Sequence, residues 1–380
     1  MTLSDKIAVV GVGATEQGKL PGRSSLDLGL EAFRLALDDA GLKKTEVDGI
    51  LTMPGTTSPE GSLHYIRFGE AAGIDPRYTA SLTMGGGTAG ALLHMAAMAI
   101  DAGMATTVAC VFGDAAKSGG SRFARASGSD IGWGLWGMMG AAANSALAAE
   151  RHMHEFGTTS RQLAEVAVAC RKHASMNPNA VMREPITIED HQASRLIVRP
   201  LRLLDCCLIS DGGVCFIVTS TEHAKDRRKK PVLVSGIGQC YTTRHLENPD
   251  WWYVPHQKAA LADAFKMAGA TPRDIDVAQL YDNFTISVLL WLEHAGFCKR
   301  GESGSFVEGG RIQLGGELPV NTAGGNLSES YMEGWLHLVE GVRQMRGECG
   351  ERQVKDAELC LVTGRGMALN CANATILKRQ

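Results

Sequence analysis

An apolar strand followed by an amphipathic helix occurs twice in this 380-residue chain, and that repeat limits the possible folds more than any other feature. Near the start, Ile7-Ala8-Val9-Val10-Gly11-Val12-Gly13 reads as a strand, and the apolar spacing over Ser25 to Ala40 predicts a helix that stops at Gly41. After the basic turn Arg227-Arg228-Lys229-Lys230 the order restarts. Pro231-Val232-Leu233-Val234-Ser235-Gly236-Ile237-Gly238 parallels the first strand, a helix over Gln257 to Ala268 stops at Gly269, and Val277-Ala278-Gln279-Leu280-Tyr281 is the next strand. Val47–Leu51, Thr106–Phe112 and Gly212–Thr219 add further strands, and the last two are apolar enough to be covered on both faces. A strongly apolar helix over Ala89 to Ala102 closes at Gly103, and a later one over Tyr331 to Met345 precedes strands at 357–363 and 370–377. The pattern predicts an α/β protein built from two duplicated halves, residues 1–225 and 226–380. The first half carries an insertion at about 114–200, with helices over Ala141–Phe156 and Ser160–Ala174 and a proline-punctuated end at Pro178, Pro185 and Pro200.

Composition narrows the function classes. A net charge of −3 leaves no basic footprint for nucleic acid. The ten cysteines include no C-x-x-C pair, and Cys110, Cys215 and Cys360 sit in apolar runs, where cysteine acts as a small hydrophobe. This usage predicts a reducing compartment, the cytoplasm. No signal peptide and no membrane-length apolar stretch are expected. His152 and His154 are two apart and do not share a helical face, and the chain shows no zinc-ligand spacing, so no metal is expected in it. The Gly85-Gly86-Gly87 turn lacks both the lysine of a P-loop and the spacing of a dinucleotide fingerprint.

The remaining motifs are specific only in combination. Glu150-Arg151-His152-Met153-His154-Glu155-Phe156-Gly157, Arg171-Lys172-His173-Ala174-Ser175-Met176-Asn177-Pro178, and Pro200-Leu201-Arg202-Leu203-Leu204-Asp205-Cys206-Cys207 with Asp211-Gly212-Gly213 occur in that order. Gly315-Gly316-Glu317-Leu318-Pro319-Val320-Asn321-Thr322-Ala323-Gly324-Gly325 follows. Together they resemble the thiolase superfamily, in its sterol-carrier-protein or lipid-transfer-protein branch, from about residue 5 to 378. The resemblance implies the five-layered αβαβα thiolase fold with an inserted loop domain, a dimer, and an acyl-CoA substrate.

The positions that carry thiolase chemistry are altered. Met84-Gly85-Gly86-Gly87-Thr88-Ala89-Gly90 resembles the nucleophile turn, and aligning its final glycine puts Gly87 where the reactive cysteine belongs. Tyr281-Asp282-Asn283-Phe284 and Ser330-Tyr331-Met332 each put tyrosine where the family has histidine. Val362-Thr363-Gly364-Arg365-Gly366 matches a Cys-x-Gly-x-Gly motif without its cysteine. Acyl transfer needs a thiolate and an imidazole. A phenol, with a pKa of about 10, can instead move protons. Retro-aldol cleavage of a β-hydroxyacyl-CoA needs that and no covalent intermediate.

The set resembles the thiolase-like aldolases of steroid side-chain degradation. That resemblance implies release of a 17-keto steroid and propionyl-CoA or acetyl-CoA. It also implies a homodimer joined by a small OB-fold and zinc-ribbon partner into a heterotetramer, with any zinc in the partner. Tyr281 and Tyr331 are then the acid/base pair, backbone N–H groups near Gly87 and Gly366 hold the thioester oxygen, and Asp282 and Asn283 are supporting residues, Asp282 by orienting a neighbouring loop, by holding the partner tyrosine or by capping a turn. Two other readings stay open at this point: a non-catalytic acyl-CoA-binding scaffold, and a degradative thiolase using another cysteine. Trp251-Trp252-Tyr253, with Trp133 and Trp136, are read either as the wall of an apolar substrate pocket or as ordinary packing or an oligomer interface.

Overall fold

The computed structural model describes residues 3–120, 140–225, 227–241, 250–366 and 371–380. Trp133 and Trp136 lie outside them. The first half contains β1 (Ile7–Ala14), α1 (Ser25–Ala40), β2 (Gly49–Met53), α2 (His64–Ala72), β3 (Tyr78–Ser81), α3 (Thr88–Asp101) and β4 (Thr107–Ala115). A helical excursion follows: α4 (Gly140–Phe156), α5 (Ser160–Ser175), α6 (Ile188–Ala193) and the small hairpin of β5 (Leu196–Val198) and β6 (Leu201–Arg202). The chain then returns through β7 (Asp211–Ser220) and α7 (Thr221–Ala224). The second half runs β8 (Val232–Tyr241), α8 (His256–Ala268), β9 (Val277–Gln279), α9 (Thr285–Ala295), α10 (Ser303–Phe306), α11 (Gly325–Ser328), α12 (Trp335–Arg346), β10 (Leu359–Gly366) and β11 (Cys371–Arg379).

Among the described residues the main strands follow one order, β3-β2-β4-β7-β1-β8-β11-β10-β9. It is two copies of one pattern joined where Ala8 and Val9 pair with Leu233 and Val232. On one side β1 pairs antiparallel with β7, β7 antiparallel with β4, and β4 parallel with β2. On the other, β8 pairs antiparallel with β11, β11 antiparallel with β10, and β10 parallel with β9. Period-2 alternation divides the side chains between two buried faces in each copy. Ala8, Val10, Ala109, Val111, Cys215 and Ile217 pack under α1, and Val9, Val108, Cys110, Val214 and Phe216 face α3 and α12. Leu361, Ala372, Ala374 and Ile376 turn outward to α8 and α9. Helices α3 and α12 are apolar around most of their circumference because both sides face a sheet. The outcome is the five-layered α/β arrangement that the sequence predicts.

The duplication reaches atomic detail. Each outer helix lies on a Gly-x-Gly strand segment: Gly11 and Gly13 of β1 under α1, Gly236 and Gly238 of β8 under α8. A Cβ on Gly13 would stand 2.3 Å from the Ala32 carbonyl oxygen, and one on Gly238 would stand 1.9 Å from that of Ala260. Small residues on both surfaces let the backbones touch.

Local signals explain most boundaries. Ser24 and Asp27 form a reciprocal capping box at the start of α1, and Gly41 ends it in the left-handed conformation, φ 68°. Thr159 and Gln162 do the same for α5. The expected helix from Tyr331 is shorter: α12 begins only at Trp335, because Glu333 and Gly334 have φ values of 50° and 80°. The expected strand at 106–112 runs on to Ala115, paired with Asp211. Among the described residues no helix is long and apolar enough to cross a membrane. All ten cysteines are unpaired.

Gly13→Ala and Gly238→Ala should each lower stability by about 1–3 kcal/mol through overpacking. Denaturant midpoints measured beside the unaltered chain check this, and unchanged midpoints would show that the helices do not need the close approach.

Candidate active site

Tyr281 follows β9, and its backbone N–H is held by the Thr363 hydroxyl of β10 at 3.0 Å. Its ring fits a slot between two backbones that carry no side chain. A Cβ on Gly86 would lie 2.1 Å from the Tyr281 hydroxyl, and one on Gly334 would lie 2.9 Å from the ring. Gly334 also has φ 80°, so glycine is required there twice over.

The glycine-rich loop is pinned to the same stretch of chain. Asn321, itself at φ 53°, uses its side-chain amide as a strand would: Oδ1 accepts from Leu280 N at 2.7 Å, and Nδ2 donates to Leu280 O at 2.9 Å. On the other side of Tyr281, Asp282 is fully buried. Its carboxylate accepts from Asn326 N at 2.8 Å and Leu327 N at 3.4 Å, the open end of α11. It also meets His337 Nε2 at 3.0 Å. Capping and loop orientation are therefore one interaction. Asn283 Oδ1 accepts from Ser287 Oγ at 2.7 Å and from Arg365 Nη2 at 3.3 Å, and its carbonyl accepts from Cys207 N at 3.0 Å.

This scaffold brings the two tyrosines together. Their hydroxyls are 3.2 Å apart, with Tyr281 buried and Tyr331 half-buried. Burial and the Glu333 carboxylate push both phenols well above their ordinary pKa, so both carry their proton at neutral pH. Two charged residues near the pair are not apparent from the motif reading. The Glu333 carboxyl lies within hydrogen-bonding reach of the Tyr331 hydroxyl, and burial pushes it up to about 7. Arg365, 2% exposed, acts on Tyr281 by its charge, and burial pulls its guanidinium down to about 10.

Gly87 lies beside the pair, but its own surroundings are filled. A Cβ there would meet Cys371 Sγ at 2.5 Å. The Gly87 N–H is bonded to the Met84 carbonyl at 3.2 Å, and the Gly366 N–H faces the Cys371 sulfur. Burial raises the Cys371 thiol to about 11 and the Cys207 thiol far above its ordinary value. Neither is a thiolate at neutral pH.

The other residues named from sequence pack. His152 joins Glu293 at 3.0 Å and Thr158 at 2.7 Å, and His173 meets the Asn321 carbonyl at 3.2 Å. Asp205 receives Thr285 Oγ1 at 2.6 Å and meets His191 Nε2 at 2.8 Å. Trp252 and Tyr253 belong to the core, with the Arg300 guanidinium 4.2 Å over the Tyr253 ring.

A family model described as Thiolase C-terminal domain-like matches residues 238–379. The 17-hydroxy-3-oxo-4-pregnene-20-carboxyl-CoA lyase of Mycobacterium tuberculosis is 41% identical over 91% of this chain and 92% of its own. The chain belongs to the thiolase superfamily. Within the superfamily it is a carbon–carbon lyase of the thiolase-like aldolase branch. The steroid side-chain-cleaving aldolase of Thermomonospora curvata is 38% identical over 95% of each chain. A solved Ltp2-ChsH2(DUF35) aldolase superposes with a TM-score of 0.91 at 38% identity, over 100% of this chain and 99% of that one. Human mitochondrial 3-ketoacyl-CoA thiolase in complex with CoA shares the fold, at a TM-score of 0.74 and 15% identity over 100% of this chain and 99% of its own.

Gly86→Ala should displace the Tyr281 ring, and a displacement of about 1 Å is enough to cost about 10²-fold in turnover. Near-normal turnover in a folded Gly86→Ala chain would mean that the phenol position is not critical.

Proposed function

We propose that this chain cleaves the side chain of a 17-hydroxy steroid β-hydroxyacyl-CoA by a retro-aldol reaction, giving a 17-keto steroid and propionyl-CoA or acetyl-CoA. The observation that carries the reading is the pair of hydroxyls 3.2 Å apart at the positions where thiolases keep their imidazoles. A base removes the β-hydroxyl proton, the Cα–Cβ bond breaks, and the thioester enolate is protonated; Tyr281 and Tyr331 supply the acid/base functions. No acyl-enzyme is needed. The two thiols near the pair, Cys371 and Cys207, are both shifted toward the protonated form, which speaks against a route through an atypical cysteine. The names of the two relatives, a steroid carboxyl-CoA lyase and a steroid side-chain-cleaving aldolase, support the substrate class and weigh against a non-catalytic scaffold.

In this reading the thioester oxygen is held by backbone N–H groups near Gly87 and Gly366. Because those N–H groups face Met84 and Cys371 in the free chain, the thioester carbonyl has to displace one of these contacts. The two matching strand sets support halves at 1–225 and 226–380, with a loop domain at about 114–200. We further propose a homodimer in the cytoplasm, joined to a small OB-fold and zinc-ribbon subunit that carries the zinc. The two-component name of the solved aldolase supports a partner, and ten unpaired cysteines support a reducing compartment.

Tyr281→Phe and Tyr331→Phe should each reduce cleavage of 17-hydroxy-3-oxo-4-pregnene-20-carboxyl-CoA by about 10²–10⁴-fold. Turnover assays with and without the partner check this, and rates near the unaltered chain for both variants would remove the proposed chemistry. Mass spectrometry during turnover should find no acylated cysteine. Trapping of an acyl-enzyme would restore the thiolase reading.

A further inference from the structure

We propose that Glu333, acting through Tyr331, is the terminal acceptor of the substrate hydroxyl proton, and that Tyr281, beside Arg365, is the donor that protonates the enolate. This rests on the retro-aldol reading above and gives it a direction. Two phenols that both hold their protons are two acids, so the pair needs a base. Among the described residues Glu333 is the carboxylate that reaches the Tyr331 hydroxyl, and the next residue, Gly334, packs against the Tyr281 ring. It is 5% exposed and forms no ion pair with a described lysine, arginine or histidine. Its backbone holds φ 50° beside Gly334 at φ 80°, a left-handed conformation that a residue other than glycine adopts only under strain and that delays the start of α12 to Trp335. A glutamate of helical geometry would not stand in that turn between Tyr331 and the slot of Tyr281.

An opposite charge acts on Tyr281. Arg365 Nη2 bonds Asn283 and Ser287, while Nη1 is buried without a hydrogen-bond partner. No described carboxylate pairs with it, and its charge favours the phenolate of Tyr281. A carboxylate beside Tyr331 draws that proton off, and a guanidinium beside Tyr281 stabilises the oxygen that has given its proton away. The two charges therefore set one polarity.

The relay balances. The substrate hydroxyl proton passes to the Tyr331 oxygen as the Tyr331 proton passes to Glu333. The Cα–Cβ electron pair becomes the thioester enolate as the ketone carbonyl forms. Tyr281 protonates Cα, regains a proton from Tyr331, and Glu333 returns its proton to Tyr331. One proton moves from oxygen to carbon, and no other reactant is consumed.

The groups that face Glu333 are Tyr331, Tyr281, Asp114 at the end of β4 and Cys207. Glu333 works as a base only when ionised, so turnover of the full chain should rise with pH through about 7 and fall away below. In Glu333→Gln, kcat should drop by about 10²-fold with KM little changed, and this ascending limb should vanish. Glu333→Asp should recover part of the rate and keep a limb. Inactive Tyr→Phe variants beside a Glu333→Gln chain with near-normal kcat and an intact limb would overturn the relay alone. Near-normal rates in both Tyr→Phe variants would overturn the retro-aldol reading beneath it. If Glu333→Gln does not fold, Glu333→Asp decides: an unaltered rate and limb would overturn the relay.

Discussion

The site depends on one buried carboxylate. Asp282 accepts two backbone N–H groups from the start of α11 and meets His337 on α12, while the residue before it carries the phenol of Tyr281. A short helix leaves its first N–H groups without partners, and a carboxylate there answers both the hydrogen-bonding need and the local positive dipole. The same His337 Nε2 also meets Asn326 Nδ2 at 3.2 Å, which ties α11 and α12 together at this carboxylate. Asn321 closes the other side by bonding both polar groups of Leu280. The segment 280–282 thus places one tyrosine and anchors the loop that leads to the other. The two hydroxyls, 3.2 Å apart, are held by that shared anchor and by the hydrogen bond between them.

Space explains why a thiolase-like turn can carry no thiol here. The phenol of Tyr281 occupies the room a side chain on Gly86 would need, and Cys371 and Asn373 occupy the room beside Gly87. The phenol fills the volume over the turn, so Gly86 and Tyr281 are one steric solution. Restoring a cysteine at Gly87 alone would put its Cβ inside the contact distance of Cys371 Sγ. The packing of the turn is therefore coupled across three separated segments of the chain.

What the sequence reveals follows from where the physics is local. Helix α1 is legible to the residue, since Ser24, Asp27 and Gly41 each act within a turn of themselves. The layer order is legible because doubly covered strands must be apolar throughout. Tyr281, Tyr331 and Asp282 stand out because their neighbours match motifs whose usual residues are known. Glu333 and Arg365 do not. The apolar spacing from Tyr331 to Met345 reads as unbroken helix, which would send Glu333 along a helix face, and a positive φ on a residue other than glycine leaves no mark in composition. Arg365 lies between two glycines in a strand, and its burial depends on α9 and on Asn283, far away in sequence. Nor does sequence show that the Gly87 N–H is already bonded within its own turn.

Those two charges set the last constraint. A buried guanidinium with an open Nη1 and a buried carboxylate outside any ion pair among the described residues each cost several kcal/mol against a paired or solvated state. They form no ion pair with each other, and both act on Tyr281. A core optimised for stability alone would pair them or replace them with apolar groups, and would relax the left-handed backbone at Glu333 with glycine. Neither has happened where the two hydroxyls meet. Unpaired charge, backbone strain and shifted titration coincide there. Such a coincidence is what the proposed proton relay would require of these residues.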